Sequence, residues 1–476
     1  MTIAKYQHWI DGKDTDSSNK QFFVDLNPID DSVYAHAAHG TDRDMTTAVE
    51  AADASFQKYR KSLPKEREAW LLRAADILEN KAGEFVETLV DEVGSPILKA
   101  QREVETSIGI LRSAAGATRQ LTGKTLPTDV TGRMSMSIRQ PLGVIAGISP
   151  FNVPLIKNIK HSAMPLATGN TVVLLPSEHA PVTALKVANL FAEAGFPSGA
   201  FNVVTGFGTE IGDTLTCHPL VRMVGFTGSS RIGHHISGLC GKHAKRYSLE
   251  MGGKNPLVVL ADAELKKAVQ GSVIGSFLYQ GQICMASSRI YVEKSIHEEF
   301  LSNFLAASRN LGMGDLRDPS TMIGPIIHEG QRNRIKKHLH DAISKGATVH
   351  CGGNWQGNRC EPTVLTGVDD QMLINHEETF GPVTVVHSVD SADEALKLAN
   401  ASKLGLSASI YTSNLRQAMR FAEELEAGMV HINGTTIQDE PHIPFGGVGD
   451  SGFGRESTDP DLAEFTEWKW ITVQHS

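Results

Sequence analysis

The stretch "VRMVGFTGSSRIG", residues 221–233, decides the fold, because in it an apolar strand runs directly into a glycine-serine turn and a helix. Apolar residues fill most of 221–226, and helical spacing begins near residue 231. Backbone N–H groups at such a helix start can bind a pyrophosphate, and Gly228 permits close approach. The stretch therefore predicts one strand-to-helix unit of a nucleotide-binding α/β sheet.

The same alternation of strand and helix extends on both sides of this stretch. Strands are predicted at "GVIAGIS", "TVVLL" and "FNVVTG", and helices over 154–167, 182–195, from about 209, and over 231–240. A second series contains the strands "NPLVVL" and "RIYVE" and helices over 262–280 and 296–311. Strands that alternate with helices form parallel sheets, so we predict an α/β fold with two Rossmann-like domains.

Composition excludes several classes of protein. A chain of 476 residues with a net charge of −9 is expected to form two or three domains and not to bind nucleic acid. Its five cysteines are irregularly spaced and include no CxxC pair, which predicts neither a metal site nor disulfides. No signal peptide or membrane-spanning run is evident, so we expect a cytoplasmic protein with no membrane partner.

Two further segments could belong to a nucleotide site. "VVTGFGTEIG" places Gly206, Gly208 and Gly212 after a strand, at a spacing one residue longer than the dinucleotide fingerprint. A tight turn before a helix is the alternative. In "VVLLPSE", Glu178 follows a strand end and could accept hydrogen bonds from ribose hydroxyls, although a solvated turn glutamate is the simpler interpretation.

A lone cysteine, Cys284 in "YQGQICMASSR", stands where a helix should end. A cysteine nucleophile needs a carbonyl target and a donor for the oxyanion. Asn152 in "SPFNVP" could be that donor, or it could cap the helix that starts at 154. Glu250 in "SLEMGGKNP" could be a general base, or an ordinary polar residue at a strand terminus. Together they indicate an active site.

The chain resembles the aldehyde dehydrogenase superfamily along nearly its whole length. The motifs that carry the resemblance are "SPFNVP", "ATGNTVVLLPSE", "FTGSSRIG", "LEMGGKNP", "GQICMASSR", "EETFGP" and "PFGGVGDSGFGRE". Within the superfamily, the benzaldehyde and vanillin dehydrogenase branch is the most similar, through "GQICMASSRI", "GMVHING", "DEPHIPFGG" and "EFTEWKWITVQ".

The resemblance implies a role for each matching residue. Cys284 is the expected nucleophile, Asn152 and the Cys284 backbone N–H the oxyanion donors, and Glu250 the base for hydrolysis. Glu178 would bind the adenosine ribose and Glu378 the nicotinamide ribose. The cofactor residues implied in this way are Ile148, Ser149, Phe151, Glu178, Gly208, Gly228, Ser229, Gly233, Glu378 and Phe380.

The implied reaction is the NAD(P)-dependent oxidation of an aromatic, benzaldehyde-type aldehyde to the acid, through a cysteine thiohemiacetal and a thioester. Uncharged residues that flank the chemistry favour an apolar substrate pocket, with Val153, Leu278, Ile283, Met285 and Phe445 as its members. The alternatives are an aliphatic or semialdehyde dehydrogenase, a CoA-acylating enzyme, a cysteine hydrolase, and a non-catalytic cofactor-binding or scaffolding relative. The presence of Glu250 argues against the CoA-acylating enzyme.

One departure from the family bears on the cofactor. Leu175 stands where the family usually has a lysine, which removes a donor to ribose and a partner for a 2′-phosphate. A lost charged hydrogen bond costs roughly 1.5–3 kcal/mol. NAD is therefore expected over NADP, with weaker binding unless Lys157 or Lys160 compensates. Those lysines, with His161, are expected to form a polar helix face instead.

The resemblance also implies domain limits and assembly. We expect a NAD-binding domain over 1–123 and 144–250, a catalytic domain over 251–435, and an oligomerisation arm over 124–143 and 460–476. Because isolated β arms are unstable in water, a homodimer or homotetramer is expected.

Overall fold

The computed structural model describes residues 3–475 of the chain. Its first part contains short strands followed by helices that start and stop at sequence signals. Thr41 caps the first helix with a capping box to Asp44, the second helix begins at Pro64, and Gly94 closes the third at a φ of 67°. The elements are β1 (Ala4–Tyr6), β2 (His8–Ile10), β3 (Lys13–Thr15), β4 (Phe22–Asn27), β5 (Ser32–Ala38), α1 (Asp42–Tyr59), α2 (Pro64–Asn80), α3 (Ala82–Val93) and α4 (Ile97–Ala117).

The predicted alternation over 143–250 is confirmed. The buried strands over 144–148 and 171–175 are almost entirely apolar, as expected for a parallel sheet covered on both faces. The elements are β6 (Lys124–Leu126), β7 (Arg133–Pro141), β8 (Val144–Ile148), α5 (Pro154–Ala167), β9 (Thr171–Leu175), α6 (Pro181–Glu193), β10 (Phe201–Val203), α7 (Gly208–Cys217), β11 (Val221–Thr227), α8 (Ser230–Lys242) and β12 (Arg246–Glu250).

The second series is also present, with one correction. The helix predicted over 262–280 runs only from Leu265 to Phe277, and a single 3₁₀ turn follows over Leu278–Gly281. The elements are β13 (Asn255–Val259), α9 (Leu265–Phe277), β14 (Ser287–Glu293), α10 (Lys294–Arg309), β15 (Gly312–Met313), β16 (Thr321–Ile323), α11 (Glu329–Ser344), β17 (Thr348–Cys351), β18 (Trp355–Gln356), β19 (Arg359–Cys360), β20 (Thr363–Thr366), α12 (Leu373–His376), β21 (Val383–Val389), α13 (Ala392–Ala399), β22 (Leu404–Gly405), β23 (Ser407–Tyr411), α14 (Leu415–Glu424) and β24 (Met429–Ile432).

The last part of the chain holds β25 (Val448–Gly449), β26 (Gly452–Phe453), α15 (Thr458–Glu464) and β27 (Thr466–Gln474). Within the second predicted arm segment, residues 460–464 belong to α15 and the strand is β27. Residue 476 of that segment lies outside the described residues.

Two large sheets organise the described chain. The first has the order β26-β12-β11-β8-β9-β10-β2-β3, with β12 to β10 parallel. The second has the order β17-β20-β21-β14-β13-β23-β24 and is parallel except for the β17–β20 pair. The α/β class with parallel sheets is therefore confirmed.

The segment 445–456 connects the two halves of the molecule. Its strand β26 pairs antiparallel with β12 at the edge of the first sheet, and its strand β25 pairs with β22 beside the second sheet. Strands of the first sheet otherwise come from residues 8–250, and those of the second from 255–432. We propose that the division into domains follows the two sheets, with residues 452–453 added to the first.

The arm is a separate three-stranded antiparallel sheet in the order β27-β7-β6, with Thr466 opposite Pro141 and Gln474 opposite Arg133. Its surface is unusually apolar, since Trp470 is 67% exposed and Trp468 46%. Within residues 3–475, none of the helices combines the length and the apolar character needed to cross a membrane.

Candidate active site

The predicted catalytic side chains meet in one cavity between the two large sheets. Asn152 follows β8 and Glu250 ends β12, so both come from carboxyl ends of strands in the first sheet. Cys284 precedes β14 and Glu378 precedes β21, so both come from amino ends of strands in the second. All four line the same cavity, whose volume is about 160 Å³.

A strained turn over Leu278–Gly281 positions Cys284 in this cavity. Tyr279 and Gln280 adopt left-handed φ values of 49° and 44°, which non-glycine residues rarely adopt. Long-range hydrogen bonds hold the turn, because the Tyr279 hydroxyl donates to the Val93 carbonyl at 2.8 Å and the Gln280 amide donates to the Pro325 carbonyl at 2.8 Å. Surroundings that over-determine a strained backbone are typical of functional sites.

The Cys284 thiol is half-buried and packs against an apolar cluster that contains Ile283, Met285 and Phe445. Burial raises the pKa of Cys284 to about 12, and the positive charge of Lys157 opposes that rise. At neutral pH the protein alone therefore holds the residue as a thiol, and attack requires its deprotonation.

Asn152 is oriented by its neighbours, and one of its amide hydrogens has no acceptor among the described residues. Its Nδ2 donates to the Gln282 carbonyl at 3.0 Å, and a carboxamide has two such hydrogens. The Lys99 ammonium donates to its backbone carbonyl at 2.8 Å. The alternative that Asn152 caps α5 is wrong: the cap position is Val153, and Glu103 accepts from the Leu155 N–H at 2.9 Å instead.

Glu250 is buried and its Oε2 has no hydrogen-bond partner among the described residues. Desolvation raises the pKa of Glu250 well above its ordinary value, although the charges of Lys157, Lys160 and Arg455 oppose the shift. A carboxyl group with a raised pKa and an unused oxygen suits proton exchange with a water molecule.

The lysines of α5 form a polar helix face that is buried and paired with carboxylates. Lys157 Nζ lies 2.7 Å from Glu456 Oε2, and Lys160 Nζ lies 2.9 Å from Asp439 and 3.6 Å from Glu456. These ion pairs hold both ammonium groups, and neither lysine lines the nucleotide cleft. His161, the third member of the predicted face, is buried too, with Nε2 3.1 Å from Thr227 Oγ1.

A larger cleft of about 660 Å³ adjoins the catalytic cavity, and the two share Phe151, Thr227, Gly228 and Ser229. Ser229 is the cap residue of α8 and makes no side-chain cap hydrogen bond among the described residues, which leaves the first turn open to an anion. Nine positions singled out in the sequence line this cleft. Seven are predicted cofactor residues, and the other two are Leu175, at the usual lysine position, and Gly212 of the glycine-rich segment; the seven are Ile148, Ser149, Phe151, Glu178, Gly208, Gly228 and Ser229.

Gly233 does not line this cleft, and a Cβ there would collide with the sulfur of Met251, which lines the catalytic cavity. Leu175 is 1% exposed and belongs to the apolar cluster below the cleft. Glu178 is half-buried, so it is not a fully solvated turn residue.

The second ribose position predicted from the resemblance lies at the catalytic end. Glu378 Oε1 accepts from the Gly253 N–H at 3.2 Å, and a side chain at Gly252 would collide with its carboxylate. Burial raises the pKa of Glu378 to about 7. Phe380, at a φ of 54°, is fixed by Gln331, whose amide donates to the Phe380 carbonyl at 2.9 Å.

The predicted substrate residues separate into two groups. Val153 lines the catalytic cavity, whereas Ile283, Met285 and Phe445 form one apolar cluster on which Leu278 and Cys284 pack. The substrate residues predicted from the sequence are all uncharged, yet the charged side chain of Lys157 also lines the cavity.

Several residues of the site were not predicted from the sequence. Lys99 and Glu103 lie about 50 positions from Asn152 and support it from α4. Glu456 ends the "PFGGVGDSGFGRE" motif, which was noted for its resemblance without a role for its last residue. The spacing of Lys157 and Lys160 on α5 was the available signal, since residues three apart share a helix face.

Comparison with known proteins agrees with this geometry. Residues 14–471 match the model of the aldehyde dehydrogenase family. Salicylaldehyde dehydrogenase of Pseudomonas putida is 39% identical over 463 residues, covering 96% of each chain. Vanillin dehydrogenase of Pseudomonas fluorescens is 38% identical over 469 residues, covering 98% of this chain and 97% of the relative.

A crystal structure of betaine aldehyde dehydrogenase from Staphylococcus aureus, in complex with NAD+, superimposes with a TM-score of 0.96. Its sequence is 31% identical, and the match covers 98% of this chain and 94% of that one. The resemblance predicted from the seven motifs is confirmed, and the chain belongs to the aldehyde dehydrogenase family.

Proposed function

We propose that the protein oxidises an aromatic, benzaldehyde-type aldehyde to its carboxylic acid with NAD. The observation that carries the proposal is the meeting of Cys284, Asn152 and Glu250 in a single cavity that opens onto the nucleotide cleft. Relatives that act on salicylaldehyde and vanillin support the aromatic substrate.

The residues of the cleft fit a nicotinamide cofactor. Open amides at the start of α8 suit the pyrophosphate. Glu178 lines the cleft and Glu378 lines the adjoining catalytic cavity, so each can accept from a ribose hydroxyl. Leu175 offers no positive charge to a 2′-phosphate, which favours NAD over NADP. When bound, the nicotinamide accepts the hydride that leaves the aldehyde carbon.

In the first half of the reaction, Cys284 loses its thiol proton to water, and the resulting thiolate attacks the aldehyde carbon so that a carbon–sulfur bond forms. The carbonyl oxygen becomes an oxyanion, which the Asn152 amide and the Cys284 backbone N–H stabilise; one such donor contributes about 3 kcal/mol. Collapse of the oxyanion restores the C=O bond as hydride departs, leaving a thioester on Cys284.

In the second half, Glu250 takes a proton from water, whose oxygen attacks the thioester carbon. The carbon–sulfur bond breaks, the thiolate of Cys284 leaves, and the product is a carboxylic acid. The unpartnered Oε2 of Glu250 is the atom available to receive the proton.

The test is production of reduced cofactor by the purified protein with benzaldehyde, vanillin, hexanal and succinic semialdehyde, each with NAD and with NADP. The proposal predicts the highest kcat/KM for the aromatic aldehydes with NAD, and none in Cys284→Ala. Turnover confined to hexanal would keep the mechanism and reject the aromatic substrate. Absence of all turnover in a folded protein that binds NAD would favour a non-catalytic relative.

We also propose that the arm pairs with a second copy of the chain. The exposed Trp468 and Trp470, which lie on the same face of its sheet, are the support, because monomers rarely expose large apolar side chains side by side.

A further inference from the structure

One buried ammonium contacts both segments that carry the reacting groups. Lys99 lies in the first turn of α4 and is 8% exposed. Its Nζ donates to the backbone carbonyl of Asn152 at 2.8 Å and lies 4.0 Å from the centre of the Tyr279 ring, in the turn that precedes Cys284. A side chain from a third segment of the chain therefore joins the Asn152 loop to the turn before the thiol.

These contacts form a closed ring of four residues. Asn152 Nδ2 donates to the Gln282 carbonyl at 3.0 Å, and the Gln282 N–H donates to the Tyr279 carbonyl at 3.0 Å. The Tyr279 ring meets Lys99, whose ammonium leads back to Asn152. Without Lys99, only the Asn152–Gln282 hydrogen bond of this ring would still connect the two segments, and one hydrogen bond fixes a distance but not an orientation.

Buried partners hold the ammonium itself. An ammonium has three donors, and besides the Asn152 carbonyl Lys99 donates to Ser95 Oγ at 3.0 Å and to Glu103 Oε2 at 2.5 Å. Glu103 is 2% exposed, and its Oε1 accepts from the Leu155 N–H at the start of α5. Because burial strengthens both hydrogen bonds and cation–π contacts, Lys99 can hold the two segments firmly.

We propose that Lys99 positions the Asn152 amide relative to the Cys284 thiol, so that the oxyanion forms within reach of its donor. Lys99 is absent from the described residues that line the catalytic cavity and the nucleotide cleft, so it acts through Asn152 and Tyr279 and not on the substrate. The assignment rests on the proposed function, in which Asn152 stabilises the oxyanion.

The test measures the rate of NAD reduction in a single turnover, with the enzyme in excess over benzaldehyde, because this step requires the oxyanion donor. Lys99→Met removes the ammonium and keeps most of the length of the side chain. Lys99→Met/Glu103→Gln also removes the carboxylate charge that the first substitution leaves unpaired. Lys186→Met is the matched control: Lys186 likewise donates to a hydroxyl, Thr88 Oγ1 at 2.6 Å, and faces the Phe85 ring at 6.0 Å, but it joins α6 to α3.

Both Lys99 variants should reduce NAD about 10- to 100-fold more slowly than wild type, because a misplacement of about 1 Å lowers a rate by about that much. Lys186→Met should keep the wild-type rate. Asn152→Ala should lower the rate by about 10²–10³, and adding Lys99→Met to it should cost less than about twofold more, since the amide that Lys99 positions is already gone.

Alkylation of Cys284 by iodoacetamide distinguishes positioning from general loosening of the fold. The reaction needs the thiol but no oxyanion donor, so its rate should change by less than about threefold in the Lys99 variants. A structure that had merely loosened would expose the thiol, lower its pKa and accelerate alkylation.

A wild-type rate of NAD reduction in the folded double variant would overturn the assignment. So would an equal loss with and without the Asn152 side chain, or a faster alkylation that accompanies the slower reduction.

Tyr279→Phe and Tyr279→Leu test the same contact while Lys99 and Glu103 stay paired, and they decide the question if the Lys99 variants do not fold. Both lose the hydroxyl, but only phenylalanine presents a ring to the ammonium, so the leucine variant should reduce NAD more slowly by about tenfold. Equal rates in the two variants would contradict the role of Lys99.

Failure of the proposed function would give different results. If Asn152→Ala keeps the wild-type rate, the proposed oxyanion donor is rejected. If benzaldehyde is not oxidised but hexanal is, the aromatic substrate is rejected, and the variants are compared with hexanal. A slow Asn152→Ala together with a wild-type rate in the folded Lys99 double variant rejects the positioning role alone.

Discussion

Burial controls protonation at each reacting residue. It raises the pKa of the Cys284 thiol to about 12 and keeps Glu250 protonated above its ordinary range, so neither carries its charge readily. The two groups can share a small cavity without mutual repulsion for this reason. Sequence could identify both residues by motif, but the burial that shifts their pKa values depends on how distant segments pack around them.

The thiol pKa predicts how fast Cys284 is alkylated in the cofactor-free protein. Only the thiolate reacts, and its fraction rises tenfold per pH unit while the pH stays below the pKa. The rate of Cys284 labelling by iodoacetamide, followed on its peptide by mass spectrometry, should therefore keep rising from neutral pH to about pH 10. A plateau near neutrality would contradict the raised pKa; the exposed peptide thiol glutathione is the reference.

Replacement of Glu250 by glutamine tests the base. Glutamine imitates the protonated form that burial favours, so the variant should fold and still form the thioester. We expect a burst of one reduced cofactor per active site, followed by a steady rate lower by roughly 10²–10⁴. Cys284→Ala, in contrast, should show no burst. Full steady-state turnover of Glu250→Gln would remove Glu250 from the mechanism.

Replacement of Leu175 by lysine tests whether this position contributes to cofactor binding. A lysine there could extend from the apolar floor into the cleft and donate to a ribose hydroxyl, a contact worth roughly 1.5–3 kcal/mol. Leu175→Lys should lower the Kd for NAD about tenfold or more, measured by calorimetry, whereas Leu175→Met should leave it near the wild-type value. An unchanged Kd would show that position 175 does not reach the cofactor.

At the scale of elements, periodicity predicted the strands and helices well, because the buried parallel strands are rich in apolar residues and alternate with helices. The end of α9 was predicted three residues too late. Nothing local in "LYQG" breaks the helix before Gly281; contacts from Val93, Pro325 and Gly324 impose the left-handed turn. A turn that depends on hydrogen bonds to distant segments cannot be predicted from the local sequence pattern.

Gly281 provides the test of that turn. Its φ is +70°, and a side chain there would collide with the Gly381 carbonyl oxygen. Gly281→Ala should lower the free energy of unfolding by more than about 1 kcal/mol and reduce kcat by displacing the thiol. Denaturant unfolding and turnover measure both effects.

Gly238→Ala is the matched control for this substitution. Gly238 is exposed in α8, and a Cβ there would meet none of the described atoms within 4 Å. Alanine there should be neutral or stabilise the helix by up to about 1 kcal/mol. Equal behaviour of the two variants would show that the turn is not constrained.

At the scale of the whole molecule, the site is built from segments about 300 residues apart. Motifs identified the polar groups of both sheets, but not that Cys284 and Glu378 lie at amino ends of strands facing carboxyl ends of the first sheet. That arrangement depends on how the two sheets meet, which the alternation of strands and helices does not encode. The ion pairs of Lys157 and Lys160 escaped prediction for the same reason.

The exposed apolar arm predicts assembly into a homodimer or homotetramer. Trp470→Lys places a charge at its most exposed tryptophan and should shift the mass measured by light scattering toward that of one chain. Leu415→Lys changes a leucine that is 73% exposed on α14, outside the arm, and should leave the mass unchanged. A wild-type protein that is already monomeric would reject the arm as an interface.

The segment 445–456 also sets the order in which the protein becomes active during its synthesis. When Cys284, Asn152 and Glu250 have left the ribosome, the chain still lacks Phe445, on whose cluster the thiol packs, and Glu456, which pairs with Lys157. Until then the growing chain holds a buried lysine without its carboxylate and a thiol without its apolar cover. The active site can therefore be completed only after the last part of the chain has been translated, when most of both sheets can already have folded.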